Sequence, residues 1–385
     1  MSTMLKLPPL SLYVHIPWCV QKCPYCDFNS HALKQDIPES SYIAALLDDL
    51  SQDLPWVQGR ELTSIFIGGG TPSLFSAEGI QQLLAGIQQQ IPFSSDIEIT
   101  LEANPGTVEA GRFSAYQKAG VTRISIGVQS FQPEKLLKLG RIHDPQQAIN
   151  AGHQATQSHL RSFNIDLMHG LPDQSVEDAL SDLHQAIEIS PPHLSWYQLT
   201  IEPNTAFGSR PPVLPEDETL WDIQEQGHQK LLEAGYQQYE ISAYAKTGYQ
   251  CRHNLNYWQF GDYLGIGCGA HGKVTLPHEN KIIRTSKVKH PKGYLDLTRS
   301  YLDQQWHVEP EDRPFEYFMN RMRLFTPIPK AEFEARTGLD ASSVEPLLKE
   351  AYAKDLLENH PDEWKVTLFG HRYLNSLLSM LMGDE

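Results

Sequence analysis

The chain has 385 residues, 40% of them hydrophobic and 20% charged, with a formal net charge of -16 at pH 7. That length supports one large barrel or two to three average domains, each able to bury a full core. The acidic balance disfavours nonspecific binding to a phosphate backbone, which wants a basic stripe, so nucleic acid is not expected as a partner. No run of about 18 apolar residues could span a bilayer. The opening "MSTMLKLPPLSLYVHIPWC" lacks the basic, apolar and small-residue succession of an export signal. A cytoplasmic location is expected, with any membrane contact made through partners, since no basic amphipathic helix is evident.

In chain order, short β-rich runs alternate with helical patterns from residue 10 to about 240. The expected strands are "LSLYVHI", "TSIFIGG", "IEITLEA", "TRISIGV", "SFNIDLM" and "LSWYQLT". Between them lie the expected helices "ESSYIAALLDDLSQDL", "SAEGIQQLLAGIQQQ", "TVEAGRFSAYQKAG", "DPQQAINAGHQATQ" and "SVEDALSDLHQAIEI", several opening on Ser, Thr or Asp where a cap is wanted. Six such units predict an α/β fold, a partial (β/α)6 TIM-like barrel, although an open doubly wound sheet has the same alternation. A Pro-rich break, "EPNTAFGSRPPVLPED", precedes a helix around 216 to 234. The Tyr-, Gly- and His-rich stretch that follows reads as short strands and loops laid across the barrel. From about 310 the patterns are helical apart from "WKVTL", and "GHRYLNSLLSML" closes the chain as a last helix. The expected division is a barrel over 1–240, an irregular extension over 241–305, and a small helical, winged-helix-like domain over 306–385.

"CVQKCPYCDF", residues 19 to 28, places three of the five cysteines on one loop directly after the first expected strand. In a long chain with no disulfide framework, such clustering points to metal or redox chemistry. Thiolates suit iron-sulfur clusters or zinc, and a structural zinc would need a fourth ligand such as His15 or His31. Polar residues recur at successive strand ends: Glu102 after the third strand, Gln129 after the fourth, Arg141 in "LGRIHD", and Asp166 in the fifth. The glycines of "GGGTP" allow a close backbone approach. Taken singly, each of these is an ordinary loop or strand-end residue; their recurrence at one end of a barrel, where active sites gather, points to a site.

With Tyr25 beside the third thiol, Cys19, Cys23 and Cys26 resemble the signature of the radical SAM superfamily. The resemblance implies a [4Fe-4S] cluster on those three thiolates, with one iron open to the amino and carboxylate groups of S-adenosylmethionine. "YVHIPWCVQKCPYCDFNSH", "IFIGGGTPSLF", "EANPGT", "RISIGVQSFQ", "LGRIHD" and "NIDLMHGLPDQ" are similar to the group that contains oxygen-independent coproporphyrinogen III oxidase, over residues 10 to about 375. That similarity implies that Tyr13, Tyr25, Gly69, Gly70, Thr71 and Glu102 surround the cofactor. It implies that Gln129, Arg141 and Asp166 serve a second cofactor molecule or, in another branch, face heme.

Two departures set the chain apart from the oxidase: Phe28 stands where the oxidase has a further cysteine, and only eighteen residues precede Cys19. "RHNLNYW" resembles instead a heme chaperone branch of the group, where an H-N-x-x-Y-W motif is associated with heme. This implies heme as cargo, His253 as an imidazole able to ligate iron, and Tyr257 and Trp258 as flat surface against a porphyrin. Cys251, Cys268 and His271 compete as iron ligands, and a His beside aromatics is often a packed residue. The expected function is a chaperone that binds heme and transfers it to acceptor hemoproteins of the respiratory chain. The alternatives are the oxidase activity and a heme-modifying radical methyltransferase. Whether the chain is an enzyme stays open, as does its oligomeric state, a homodimer included.

Overall fold

The computed structural model describes residues 4–34, 36–107, 111–296 and 298–382. Six strands fall where the alternation placed them: β1 Leu10–Ile16, β2 Leu62–Gly69, β3 Phe93–Ala103, β4 Arg123–Gln129, β5 Ser162–His169 and β6 His193–Gln198. They pair in parallel in sequence order. The crossovers run through helices α1 Glu39–Asp53, α2 Ala77–Gln90, α3 Arg112–Lys118, α4 Pro133–Lys138, α5 Pro145–Gln157 and α6 Val176–Ile189. Of the stretch expected to form the third helix, residues 108–110 lie outside the described residues.

Local chemistry accounts for the helix starts. Ser76 accepts from the Gly79 N–H, and Asp144 with Gln147 and Ser175 with Asp178 form reciprocal capping boxes. Parallel strands covered by helices are buried on both faces, and β1 follows suit: apart from Tyr13 every residue in it is buried. The main core runs between the sheet and these helices, with Leu12, Ile65, Leu101, Ile124 and Ile165 at its centre.

The Tyr- and Gly-rich stretch is more regular than expected. After α7 Asp217–Glu233, β7 Gln237–Glu240 and β8 Ala243–Ala245 form a hairpin in which β8 pairs antiparallel with β6 and β7 antiparallel with β8. On the other edge, β9 Asp262–Ile266 lies parallel to β1, and β10 His271–Leu276, β11 Lys281–Lys287 and β12 Leu302–His307 follow antiparallel. Among the described residues the sheet therefore has the order β12-β11-β10-β9-β1-β2-β3-β4-β5-β6-β8-β7. The local pattern concealed β9 because its partner lies at the other end of the chain. Close approach there also requires glycine: a Cβ on Gly265 would sit 1.9 Å from the His271 carbonyl oxygen.

Between β8 and β9 runs α8 Arg252–Trp258, which carries the "RHNLNYW" motif. It packs on the same face of β1, β2 and β3 as the inward side chains Ser11, Ser64 and Glu98. Asn256 Nδ2 donates to Ser11 Oγ (2.9 Å), His253 Nδ1 meets Ser64 Oγ (3.0 Å), and the His253 N–H donates to Glu98 (3.1 Å). Ser11 and Ser64 sit in the first halves of their strands and Glu98 at the middle of its own, so α8 plugs the barrel from the end opposite the strand C-termini.

The C-terminal region combines α9 Arg313–Arg321, α10 Lys330–Thr337 and α11 Glu345–Ala353 with a small antiparallel sheet, β13 Ile328–Pro329, β14 Leu357–Asn359 and β15 Glu363–Val366. The expected final helix is two short ones, Leu368–Arg372 and Leu374–Ser379. Tyr317, Phe318, Phe333 and Trp364 form its core and share it with Leu5, Phe260 and Ile282. Among the described residues, no helix is long and apolar enough to cross a membrane.

Candidate functional site

The strand C-termini open onto a cavity of about 510 Å³, bordered by Cys19, Cys23 and Cys26. Cys19 ends a two-residue strand, Trp18–Cys19, that pairs with His31–Ala32. The eleven residues between are thereby tied at both ends, with the Leu33 N–H donating to the Cys19 carbonyl (2.9 Å). All three thiols are free, Cys19 buried and the other two half-buried. Burial pushes the Cys19 thiol up, against a hydrogen bond from Ser30. Arg141 Nη1 reaches Cys23 Sγ (3.7 Å) while its Nη2 donates to the Gly127 carbonyl (2.6 Å), so a fixed cation stands beside the loop.

The donor set fits a three-cysteine cluster better than zinc. Among the described residues no three His, Cys, Asp or Glu side chains, the cysteine triad included, are grouped around one ion position, and neither histidine near the loop supplies the fourth ligand that zinc would need. His15 is committed elsewhere: its Nε2 donates to the Asn29 carbonyl (2.8 Å), which leaves Nδ1 to accept from the Tyr13 hydroxyl (2.9 Å). His31 does not border the cavity.

Gly69, Gly70 and Thr71 border the cavity at the end of β2. The glycines are required first by the protein itself. A Cβ on Gly70 would lie 2.4 Å from the Trp18 carbonyl oxygen, and Gly69 holds φ +115° with the His15 ring 2.6 Å from where a Cβ would stand. Strand β2 is thus drawn against the start of the cysteine loop. The Gly69 N–H donates to Glu102 Oε2 (3.0 Å). Burial and, after it, the charge of Asp166 push the Glu102 carboxyl up to about 8, with the Gly69 hydrogen bond acting downward. Asp166 is raised by burial as well, opposed by hydrogen bonds from its neighbours, among them Ser125 Oγ (3.0 Å) and Asn164 Nδ2 (2.8 Å). Gln129, in the left-handed region at φ 69°, accepts from the Tyr197 hydroxyl (2.8 Å).

The cavity therefore gathers Cys19, Cys23, Cys26, Tyr25, Gly69, Gly70, Thr71, Glu102, Gln129, Arg141, Asp166 and Trp258. Tyr13, His253 and Tyr257 do not border it. Tyr13 stacks on Phe66 beneath the glycines, and the His253 ring packs between Phe66 and Tyr257, 2% exposed. Burial, and after it the nearby Arg123, pull His253 down to about 3, and its Nε2 has no partner among the described residues. Of the competing ligands, Cys251 and Cys268 are buried, His271 is exposed, and none borders the cavity.

Several residues that line the cavity or hold its cysteine loop carried too little local signal to be singled out in the sequence. Ser195 and Tyr197 alternate on β6, and the period-2 pattern of "LSWYQ" held what signal there was. Asn29 anchors the cysteine loop by donating to the carbonyls of Cys268 (2.9 Å) and Lys289 (2.8 Å). Glu240 and Arg323 complete the wall near Trp258 and had no local signal.

A parallel α/β barrel with three free thiols at its open end defines a radical SAM protein, and the chain matches the Radical SAM superfamily over residues 13–183. Residues 308–372 match the HemN C-terminal domain. The solved structure of coproporphyrinogen III oxidase (HemN) from Escherichia coli superposes with a TM-score of 0.82, covering 97% of this chain and 90% of that one at 22% identity, which shows a shared fold. Heme chaperone HemW of Escherichia coli is 63% identical over 99% of this chain and 100% of its own length. That of Haemophilus influenzae is 61% identical, with the same two coverages. The chain belongs to the HemW family of radical SAM proteins.

Proposed function

We propose that this chain is a heme chaperone, holding heme and passing it to acceptor hemoproteins, those of the respiratory chain among them. In this reading Cys19, Cys23 and Cys26 hold a [4Fe-4S] cluster, and S-adenosylmethionine lies in the adjoining cavity. The observation that carries it is identity of 63% and 61%, end to end, with proteins named as heme chaperones, against 22% with the oxidase. When bound, the cluster supplies an electron that can cleave the cofactor's carbon-sulfur bond.

The chain's own residues bind and orient. Glu102 presents a buried acceptor to ribose hydroxyls or an amine, and a cation placed beside it would favour the carboxylate against the burial that raises it. Arg141 holds positive charge at Cys23. Gln129, Arg141 and Asp166 serve a second cofactor molecule or the cargo. Iron ligation by the unpartnered Nε2 of His253 would require α8 to withdraw, because the ring is 2% exposed and packed between Phe66 and Tyr257.

Phe28, 59% exposed, borders the cavity where the oxidase has a further cysteine. The test uses anaerobically reconstituted protein: heme is titrated in, then coproporphyrinogen III, S-adenosylmethionine and reductant are supplied and the products are separated. Stoichiometric heme binding with no protoporphyrinogen IX is the expected result. Turnover would replace this reading by the oxidase.

A further inference from the structure

Arg323 follows α9 and is the cavity-lining residue contributed by the C-terminal region among the described residues. Its backbone is fixed against the sheet edge: the Ile241 N–H donates to the Arg323 carbonyl (3.2 Å), and the Phe325 N–H to that of Tyr239 (3.2 Å). Its guanidinium lies over the Trp258 indole, 4.4 Å from the ring centroid. Nε (2.8 Å) and Nη2 both donate to a single oxygen of Glu240, whose other oxygen accepts the Ser242 N–H (2.9 Å). The Glu240 side chain is 5% exposed and that of Arg323 31%. The pair is thus buried on the carboxylate side and open on the guanidinium side.

Two consequences follow. That face of Trp258 is covered by a cation and is not free to stack on a flat ligand, so the indole's part at this wall is to orient Arg323. The fork spends its donors on one oxygen, and Nη1 has no partner among the described residues, so N–H groups remain for a second acceptor. The other two cations on the cavity wall are placed differently: Lys22 donates to the Phe28 carbonyl (3.2 Å), and Arg141 is held at Gly127 and Cys23. Arg323 is then the cation of the Trp258 side, and a planar fork suits a carboxylate.

We propose that Arg323 binds a carboxylate of the molecule held in the cavity, with Trp258 and Glu240 as positioning residues. The inference rests on the heme-binding reading, in which that carboxylate is a propionate of the cargo; the methionine carboxylate of S-adenosylmethionine is the other source of the same chemistry.

The experiment titrates hemin, hemin dimethyl ester and S-adenosylmethionine separately into reconstituted wild type, Arg323→Ala, Arg323→Lys and Glu240→Gln. Removing one charge-assisted hydrogen-bonding group predicts hemin binding weakened roughly ten- to hundredfold in Arg323→Ala. Arg323→Lys recovers part of that affinity, and Glu240→Gln, whose amide oxygen still accepts from the fork and positions it while the competing charge is gone, binds hemin at least as tightly as wild type. The dimethyl ester, having no carboxylate, binds wild type and Arg323→Ala alike. If Arg323→Ala folds poorly because Glu240 is left unpaired, the double variant with Glu240→Gln gives the same comparison. Unchanged affinity for both hemin and S-adenosylmethionine in a folded variant, or equal weakening for hemin and ester, overturns the proposal, and weakening confined to S-adenosylmethionine overturns the assignment of the carboxylate to a propionate. Wild type that binds no hemin overturns the chaperone reading itself, and this inference with it.

Discussion

The two ends of the barrel interior are built on opposite principles. At the α8 end, most polar groups meet partners inside the protein, the Nε2 of His253 excepted: Asn256 spans Ser11 and the Asp262 carbonyl, Ser11 meets Ser64, and Glu98 accepts from the His253 N–H. At the cysteine end, three thiols stay free, two carboxyls crowd together above their usual range, and the Nε of Arg141 has no partner among the described residues. Buried polar groups that find partners specify a structure; groups held without them await a ligand. The signature motifs divide the same way. "CVQKCPYC" faces the cavity, whereas "RHNLNYW" is mostly spent on holding the plug, with Trp258 alone of its predicted heme-facing residues reaching the wall.

Four experiments press on this contrast. Cys23→Ala should abolish the iron-sulfur chromophore, while the unfolding free energy of the cluster-free protein changes by no more than about 0.5 kcal/mol; iron and sulfide analysis with urea melts reads both. A large loss of stability would show that the cysteine end also carries the fold. Asn256→Ala should do the reverse, costing about 3 kcal/mol by stranding partners of two buried hydrogen bonds. Chemical denaturation without cluster measures it, and a change under about 1 kcal/mol would remove α8 as a structural plug.

The third concerns Glu102. Its folded carboxyl is raised from 4.5 to about 8, so the folded state binds the proton more tightly than the unfolded chain. This group's contribution to stability is complete below pH 4.5 and is lost as pH rises towards 8. Cluster-free wild type should therefore lose stability across that window more steeply than Glu102→Gln, as thermal melts at stepped pH would report. Parallel profiles would mean that Glu102 is ionised in the fold. The smallest effect belongs to Phe28→Ala, expected within about 0.5 kcal/mol of wild type because the ring is 59% exposed; a larger loss in a urea melt would make Phe28 part of the loop's scaffold.

Much of this architecture is legible in the chain itself. Period-2 runs such as "LSLYVHI" and helices opened by Ser76, Asp144 and Ser175 carry their conformation in a few adjacent residues, so the six βα units and the loop bearing Cys19, Cys23 and Cys26 follow from local sequence. Glu102 and Asp166 follow too, because a parallel barrel sets its strand ends on one side. Strand β9, the burial of His253 and the pairing of Arg323 with Glu240 and Trp258 do not. Each depends on segments far apart in sequence meeting across the sheet, and such contacts leave no periodicity in either segment. Sequence by itself determined the six βα units and the clustering of three thiols after the first strand, because those rest on local propensity and on adjacent residues. The choice of a partial barrel over an open doubly wound sheet, which has the same alternation, was left to the tertiary structure. Only the tertiary structure decided which aromatic, histidine and arginine residues face the cavity, because that is set by how α8 and the C-terminal region pack against the barrel.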